Sequence, residues 1–206
     1  MDVFRIEGGH RLSGEITVDG SKNAALPLMA AALMATEPVT LLNVPELSDI
    51  SNLSRLLSEL GCSVDGTSGT VTLRIDDRSR THARYDIVRT MRASICVLGP
   101  LLGSRGRARV AMPGGCAFGA RPVDLHLRGL QALGARIELQ GGDIVASANR
   151  LRGTTVFLGG PFGSTVLGTM NVMCAATLAE GTTIIECAAC EPEVVEVAEL
   201  LNAMGA

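Results

Sequence analysis

Aromatic side chains are nearly missing from this chain. It has no tryptophan, one tyrosine and four phenylalanines, 2% aromatic residues in a length of 206. Its core must therefore be aliphatic and alanine-rich, drawn from the 47% of residues that are hydrophobic. Charge excess is lacking too. A net charge of −3 with 19% charged residues excludes disorder and gives no basic surface on which to expect nucleic acid. Long apolar runs are absent: the longest, Ala24 to Ala35, is too short to span a bilayer and contains Pro27. The N-terminus, Met1-Asp2-Val3-Phe4-Arg5, lacks the basic-then-apolar order of a secretory signal. The expectation is a soluble cytoplasmic protein that binds neither membrane nor nucleic acid. Lysine is scarce as well, for Lys22 is the only one among 18 basic residues.

The six cysteines, in a chain with no secretory features, read as reduced thiols. Cys187-Ala-Ala-Cys190 has a metal or redox spacing, but no second pair and no nearby histidine accompany it. No metal site and no cofactor are expected.

What the chain does have is a repeat. Leu56-Leu57-Ser58-Glu59-Leu60-Gly61-Cys62 returns as Gly129-Leu130-Gln131-Ala132-Leu133-Gly134-Ala135 and again as Leu200-Leu201-Asn202-Ala203-Met204-Gly205-Ala206. Gly61, Gly134 and Gly205, 73 and 71 residues apart, read as helix C-caps in the left-handed conformation. Upstream of each lies an Ala/Leu/Met-rich helical stretch leading into a strand: Ala24–Ala35 before Val39–Leu42, Val88–Leu102 before Ala108–Met112, and Val166–Ala179 before Thr182–Glu186. After the first two glycines come alternating strands at Thr70–Ile75 and Asp143–Ser147. The fold class expected is α/β: three βαβαββ units, their sheets packed around buried helices, with the third unit cut short at Ala206.

The densest chemistry lies in Pro113-Gly114-Gly115-Cys116-Ala117-Phe118-Gly119-Ala120-Arg121-Pro122-Val123-Asp124-Leu125-His126. A thiol is nucleophilic or acidic where its thiolate is favoured, and Arg121 is one source of that effect. Pro122 forces its predecessor into an extended conformation and suits a helix start, placing Asp124, Leu125 and His126 on a first turn. An arbitrary P-G-G-C is also compatible with a glycine-rich turn around a buried cysteine. Lys22 alone could equally be a solvated residue at a helix start, and Arg92 a surface cation.

Taken together, the loop, Gly20-Ser21-Lys22-Asn23-Ala24-Ala25-Leu26-Pro27, Thr90-Met91-Arg92-Ala93-Ser94 and Asn171–Glu186 resemble the enolpyruvyl transferase family along essentially the whole chain. The resemblance implies transfer of an enolpyruvyl group from phosphoenolpyruvate to the 3′-hydroxyl of UDP-N-acetylglucosamine. It makes Cys116 the catalytic acid. Lys22, Asn23, Arg92, Arg121, Pro122, Val123, Asp124, Leu125, Ser164 and Thr165 become substrate-binding residues, with His126 a weaker candidate. It also implies that residues 1–21 are a strand region of a second domain and 22–206 an incomplete first domain. The missing C-terminal domain would be the partner without which the fragment is inactive. One stretch departs from the family. Gly163-Ser164-Thr165-Val166-Leu167-Gly168-Thr169 keeps hydroxyl and small residues at altered spacing, which leaves a transferase with another acceptor, or a nucleotide-binding fragment, as alternative readings.

Overall fold

The computed structural model describes residues 3–113, 123–161 and 163–206. Two classes of helix organise them. In the first, apolar residues run all round. Helix α1 (Lys22–Ala31) buries Ala24, Ala25, Leu26, Pro27, Met29, Ala30 and Ala31, and α6 (Val166–Ala176) buries Gly168 to Val172, Cys174 and Ala175. A helix with no polar face belongs inside the protein. In the second class the apolar residues form one stripe. These are α2 (Ser48–Glu59), with Ile50, Leu53, Leu56 and Leu57 buried, and α7 (Pro192–Ala203), with Val194, Val197 and Leu201. Helix α5 (Asp124–Ala132) also belongs here. These helices cover the central ones: α1 packs on both α2 and α7, and α6 packs on both α5 and α7.

Each expected unit is visible in the sheets. In the second unit β4 (His82–Ala83) runs parallel to β5 (Arg107–Ala111), which pairs antiparallel with β7 (Asp143–Ser147), and β7 with β6 (Arg136–Gln140). The first unit shows the same last three places. There β1 (Val39–Leu41) pairs with β3 (Thr70–Ile75) and β3 with β2 (Cys62–Thr67), all antiparallel. The third shows the same first two, β8 (Thr155–Phe157) parallel to β9 (Ile184–Glu186). Among the described residues the three sheets hold three, four and two strands and remain separate around the buried helices.

Gly61, Gly134 and Gly205 occupy equivalent points, with φ of +83°, +97° and +101°. At Gly134 the N–H donates to Gln131 O at 2.9 Å and the next N–H, of Ala135, to Leu130 O at 3.1 Å. Gly205 and Ala206 repeat this on Asn202 O and Leu201 O, both at 3.0 Å. That is the left-handed helix stop in which two successive N–H groups satisfy carbonyls the helix leaves open.

Two stretches differ from expectation. Val88–Leu102 is not one helix but the end of α3 (Tyr85–Val88), a 3-10 segment at Arg92–Val97, and α4 beginning at Leu98 and running to Arg105. Pro100 explains the tighter segment, because it has no N–H for the Cys96 carbonyl four residues back. Residues 3–21 contain no strand, and Val3, Phe4, Ile6, Leu12, Ile16 and Val18 lie almost fully exposed.

Candidate functional site

The starts of α1, the 3-10 segment, α6 and α7 meet around one cavity. Ser21 caps α1, its Oγ accepting from Ala24 N–H at 3.4 Å, which leaves Lys22 as the first helical residue. Lys22 Nζ lies 2.8 Å from Asp49 Oδ2, on the first turn of α2, and both side chains keep partial solvent access. Asn23 follows. Pro27 lies four residues beyond it inside α1, so the Asn23 carbonyl has no helical N–H to accept.

Asn23 lines a cavity of about 240 Å³ with Leu26, Pro27, Ala93, Val166, Leu167, Met170 and Glu193. Those residues come from the starts of α1, the 3-10 segment, α6 and α7. Arg92 heads the 3-10 segment next to Ala93 in the cavity wall. Its charge reaches His126 on α5 and Cys96. On α6 Thr165 is the cap residue, and its Oγ1 accepts from Gly168 N–H at 3.2 Å. Ser164 is exposed just before it.

Val123 is buried at the start of α5, Asp124 is the exposed first residue, and Leu125 lies against Gly160 in the loop entering α6. Cys116, Arg121 and Pro122 fall outside the described residues. Of the expected residues that are described, Asn23 lines this cavity, and Lys22, Arg92 and Thr165 are each next in sequence to a residue of its wall, at the starts of α1, the 3-10 segment and α6. Val123, Asp124 and Leu125 flank it through α5, and Ser164 borders it through the loop.

Helix N-termini carry orphan N–H groups and partial positive charge, and two cations stand among them. This arrangement is suited to phosphate or carboxylate groups. Larger grooves of about 720 and 520 Å³ lie elsewhere, lined by the C-terminal end of α5 with Arg136, Arg150 and Arg152, and by the Val44–Ser54 and Val64–Val71 stretches. Neither contains any of the expected residues. The smaller cavity is the better candidate because its chemistry converges.

His126 corrects the sequence reading. It is 2% exposed and lies inside the core, its Nδ1 bonded to Asn171. Burial pushes its imidazole down to about 4, helped by the Arg92 charge and opposed by Asp124. Two participants escaped sequence reasoning: Asp49, the partner of Lys22, and Glu193 in the cavity wall. Acidic residues in first helical turns are so common that neither stands out along the chain.

The remaining thiols divide sharply. Cys62, Cys96 and Cys174 are buried, and burial raises all three, Cys96 to about 12. Cys187 and Cys190 are exposed. Among the described residues no cluster of three or more His, Cys, Asp or Glu is placed to hold a metal ion, and no helix is long and apolar enough to cross a membrane.

The fold is that of an α/β repeat protein whose separate sheets surround buried helices. The same architecture occurs in the crystal structure of the enolpyruvyl transferase NikO from Streptomyces tendae. There the TM-score is 0.78 at 22% identity, over 95% of this chain and 45% of that one. It occurs as well in the EPSP synthase of Acinetobacter baumannii, with a TM-score of 0.68 at 18% identity over 88% and 42% of the two chains. Residues 6–206 match the family described as EPSP synthase (3-phosphoshikimate 1-carboxyvinyltransferase), and the chain belongs to that family. It is 55% identical over all 206 residues to the UDP-N-acetylglucosamine 1-carboxyvinyltransferase of Methylacidiphilum infernorum. It is 52% identical over a 207-residue alignment to the enzyme so named from Yersinia pestis. The chain spans about half the length of these curated relatives, 49% in each case.

Proposed function

We propose that this chain supplies the first domain of an enzyme that moves the enolpyruvyl group of phosphoenolpyruvate to the 3′-hydroxyl of UDP-N-acetylglucosamine, with release of phosphate. The observation that carries this reading is identity of 52–55% along the whole chain to proteins named for that reaction. Cations among converging helix starts support it, since both substrates are anionic. In this reading residues 22–206 form the first domain. Residues 1–21, in which Val3, Phe4, Ile6, Leu12, Ile16 and Val18 are uncovered, belong with a second domain in the native continuation. Both substrates place the enzyme in the cytoplasm, in the synthesis of cell-wall precursors.

The chemistry is an addition followed by an elimination. The donor's C3 methylene takes a proton from the acid while the sugar hydroxyl gives its own proton to a base and its oxygen attacks C2. The adduct then loses a proton from C3 and expels phosphate, which calls for an acid and a base in one site. Cys116 is assigned the acid role. Lys22, Arg92 and Arg121 supply positive charge, while Asn23, Pro122 to Leu125, Ser164 and Thr165 hold the nucleotide sugar. Cations fixed before the reaction stabilise developing charge without reorganising.

The test is phosphate release from phosphoenolpyruvate by the chain extended through its native continuation. Release should require UDP-N-acetylglucosamine, should not occur with shikimate 3-phosphate, and should vanish in Cys116→Ser. Release with shikimate 3-phosphate alone would reassign the acceptor. Undiminished release by Cys116→Ser would remove the thiol from the mechanism.

A further inference from the structure

A buried polar cluster lies beneath the cleft, and none of the residues assigned to substrate belongs to it. Asn171, on α6, is 1% exposed, and every polar atom of its amide is used. Its Oδ1 accepts from Gly99 N–H at 2.7 Å. Its Nδ2 donates to Ile95 O at 2.9 Å and to His126 Nδ1 at 2.9 Å. The two backbone partners fix which way the amide faces, because an N–H needs an oxygen and a carbonyl needs an N–H. His126 Nδ1 is therefore the acceptor, and its ring proton sits on Nε2.

Gly99 is the second residue of α4, so its N–H is one that a helix start leaves without an internal partner. Ile95 lies in the 3-10 segment headed by Arg92. One side chain from the third unit thus caps the first long helix of the second unit and grips the first turn of α5. Glycine at 99 is what permits the approach, for a Cβ there would stand 2.0 Å from Asn171 O.

The two elements joined in this way carry two of the residues assigned to substrate. Arg92 lies three positions before Ile95, and Asp124 lies two positions before His126. Asn171 Nδ2 bonds both Ile95 O and His126 Nδ1, so the two elements meet at one amide nitrogen. We propose that Asn171, acting with His126, is a positioning residue that sets the place of the Arg92 guanidinium relative to the first turn of α5, and so tunes affinity for the anionic substrate. This rests on the functional reading above.

Steady-state kinetics of the full-length protein, with UDP-N-acetylglucosamine varied, provide the test. Asn171→Ala should raise KM about tenfold, the scale of one lost charged contact, with kcat little changed. His126→Asn, which keeps an acceptor near the place of Nδ1, should stay within about threefold of the unsubstituted enzyme, whereas His126→Leu should follow Asn171→Ala. In an Arg92→Ala background Asn171→Ala should add little, because its effect runs through that guanidinium. A folded Asn171→Ala with unchanged KM, equal effects of the two His126 variants, or full additivity with Arg92→Ala would each overturn the proposal. If Asn171→Ala does not fold, the His126 pair decides. Pyrophosphate affinity, measured by calorimetry on the same variants, separates the two readings. Absence of turnover in the unsubstituted protein refutes the proposed reaction, while weaker pyrophosphate binding in Asn171→Ala still supports the positioning role, and equal binding refutes it.

Discussion

Acidification should destabilise this protein in a window set by one residue. His126 is buried at 2% exposure and held near 4, against 6.5 for a free imidazole. Between those values the unfolded chain binds a proton that the folded chain refuses. Stability from the neutral ring is therefore complete above about pH 6.5 and is lost as pH falls through about 4. A shift of this size corresponds to about 3 kcal/mol, a substantial share of the stability of an ordinary domain. Protonation would also strip Asn171 of its acceptor on Nδ1, so the loss falls on the contact that joins the third unit to the second.

The assay is a series of urea unfolding curves at pH steps across that window, on the unsubstituted protein and on His126→Asn. The variant lacks the buried ring at position 126, so its stability should vary less with pH across that window. The carboxylates that the fold holds low do not confuse the comparison. Hydrogen bonds from the Ser79 hydroxyl and N–H, with help from Arg80, bring Asp77 to about 2, and Arg84 lowers Glu59. Their contributions disappear mainly below the ordinary carboxylate values of 3.8 and 4.5. Parallel pH dependence of the two proteins across the histidine window would refute the reasoning.

Three further outcomes follow from the same geometry. Gly61→Ala should cost at least about 2 kcal/mol and Gly134→Ala about 1, measured by urea unfolding: both need positive φ, but a Cβ at Gly61 would clash with Asp77 O at 2.1 Å, whereas at Gly134 it would stand 3.8 Å from Arg150 O. In timed alkylation with peptide mapping, Cys62, Cys96 and Cys174 should stay protected and Cys116 should react before the exposed Cys187 and Cys190. A faster Cys187 or Cys190 would count against the catalytic assignment of the loop. Lys22→Ala should raise KM for anionic substrate about tenfold while leaving the fold intact, because the cation it removes is partly exposed and its partner Asp49 keeps solvent access.

The repeat was legible because its punctuation is chemical. A helix that stops on a left-handed residue favours glycine, so Gly61, Gly134 and Gly205 betray equivalent positions even where neighbouring side chains differ. Strand alternation was equally plain: Val71 and Leu73 face the core while Thr72 and Arg74 point away from it. Other features depend on contacts that have no local signature. Nothing near Arg92 announces a 3-10 segment, whose geometry follows from Pro100 several residues later. The burial of His126 depends on α6, 45 residues away, and the pairing of Lys22 with Asp49 depends on how α2 packs on α1.

The scarcity of aromatic residues bears on the site as well as on the core. Central helices of alanine, glycine and leucine approach closely enough for backbone to meet backbone, as Gly99 does Asn171 and Gly103 does Ala175. At such distances a buried amide can reach across to a neighbouring helix start, which a larger side chain would hold away. Close packing is rigid, because a core at crystal-like density does not deform gradually. The helix N-termini around the cleft therefore inherit their spacing from the alanine-rich interior. A cleft built in this way holds its few cations in fixed places, although the protein as a whole carries a net charge of −3. In the proposed reaction, local arrangement, more than overall charge, is what would serve anionic substrates.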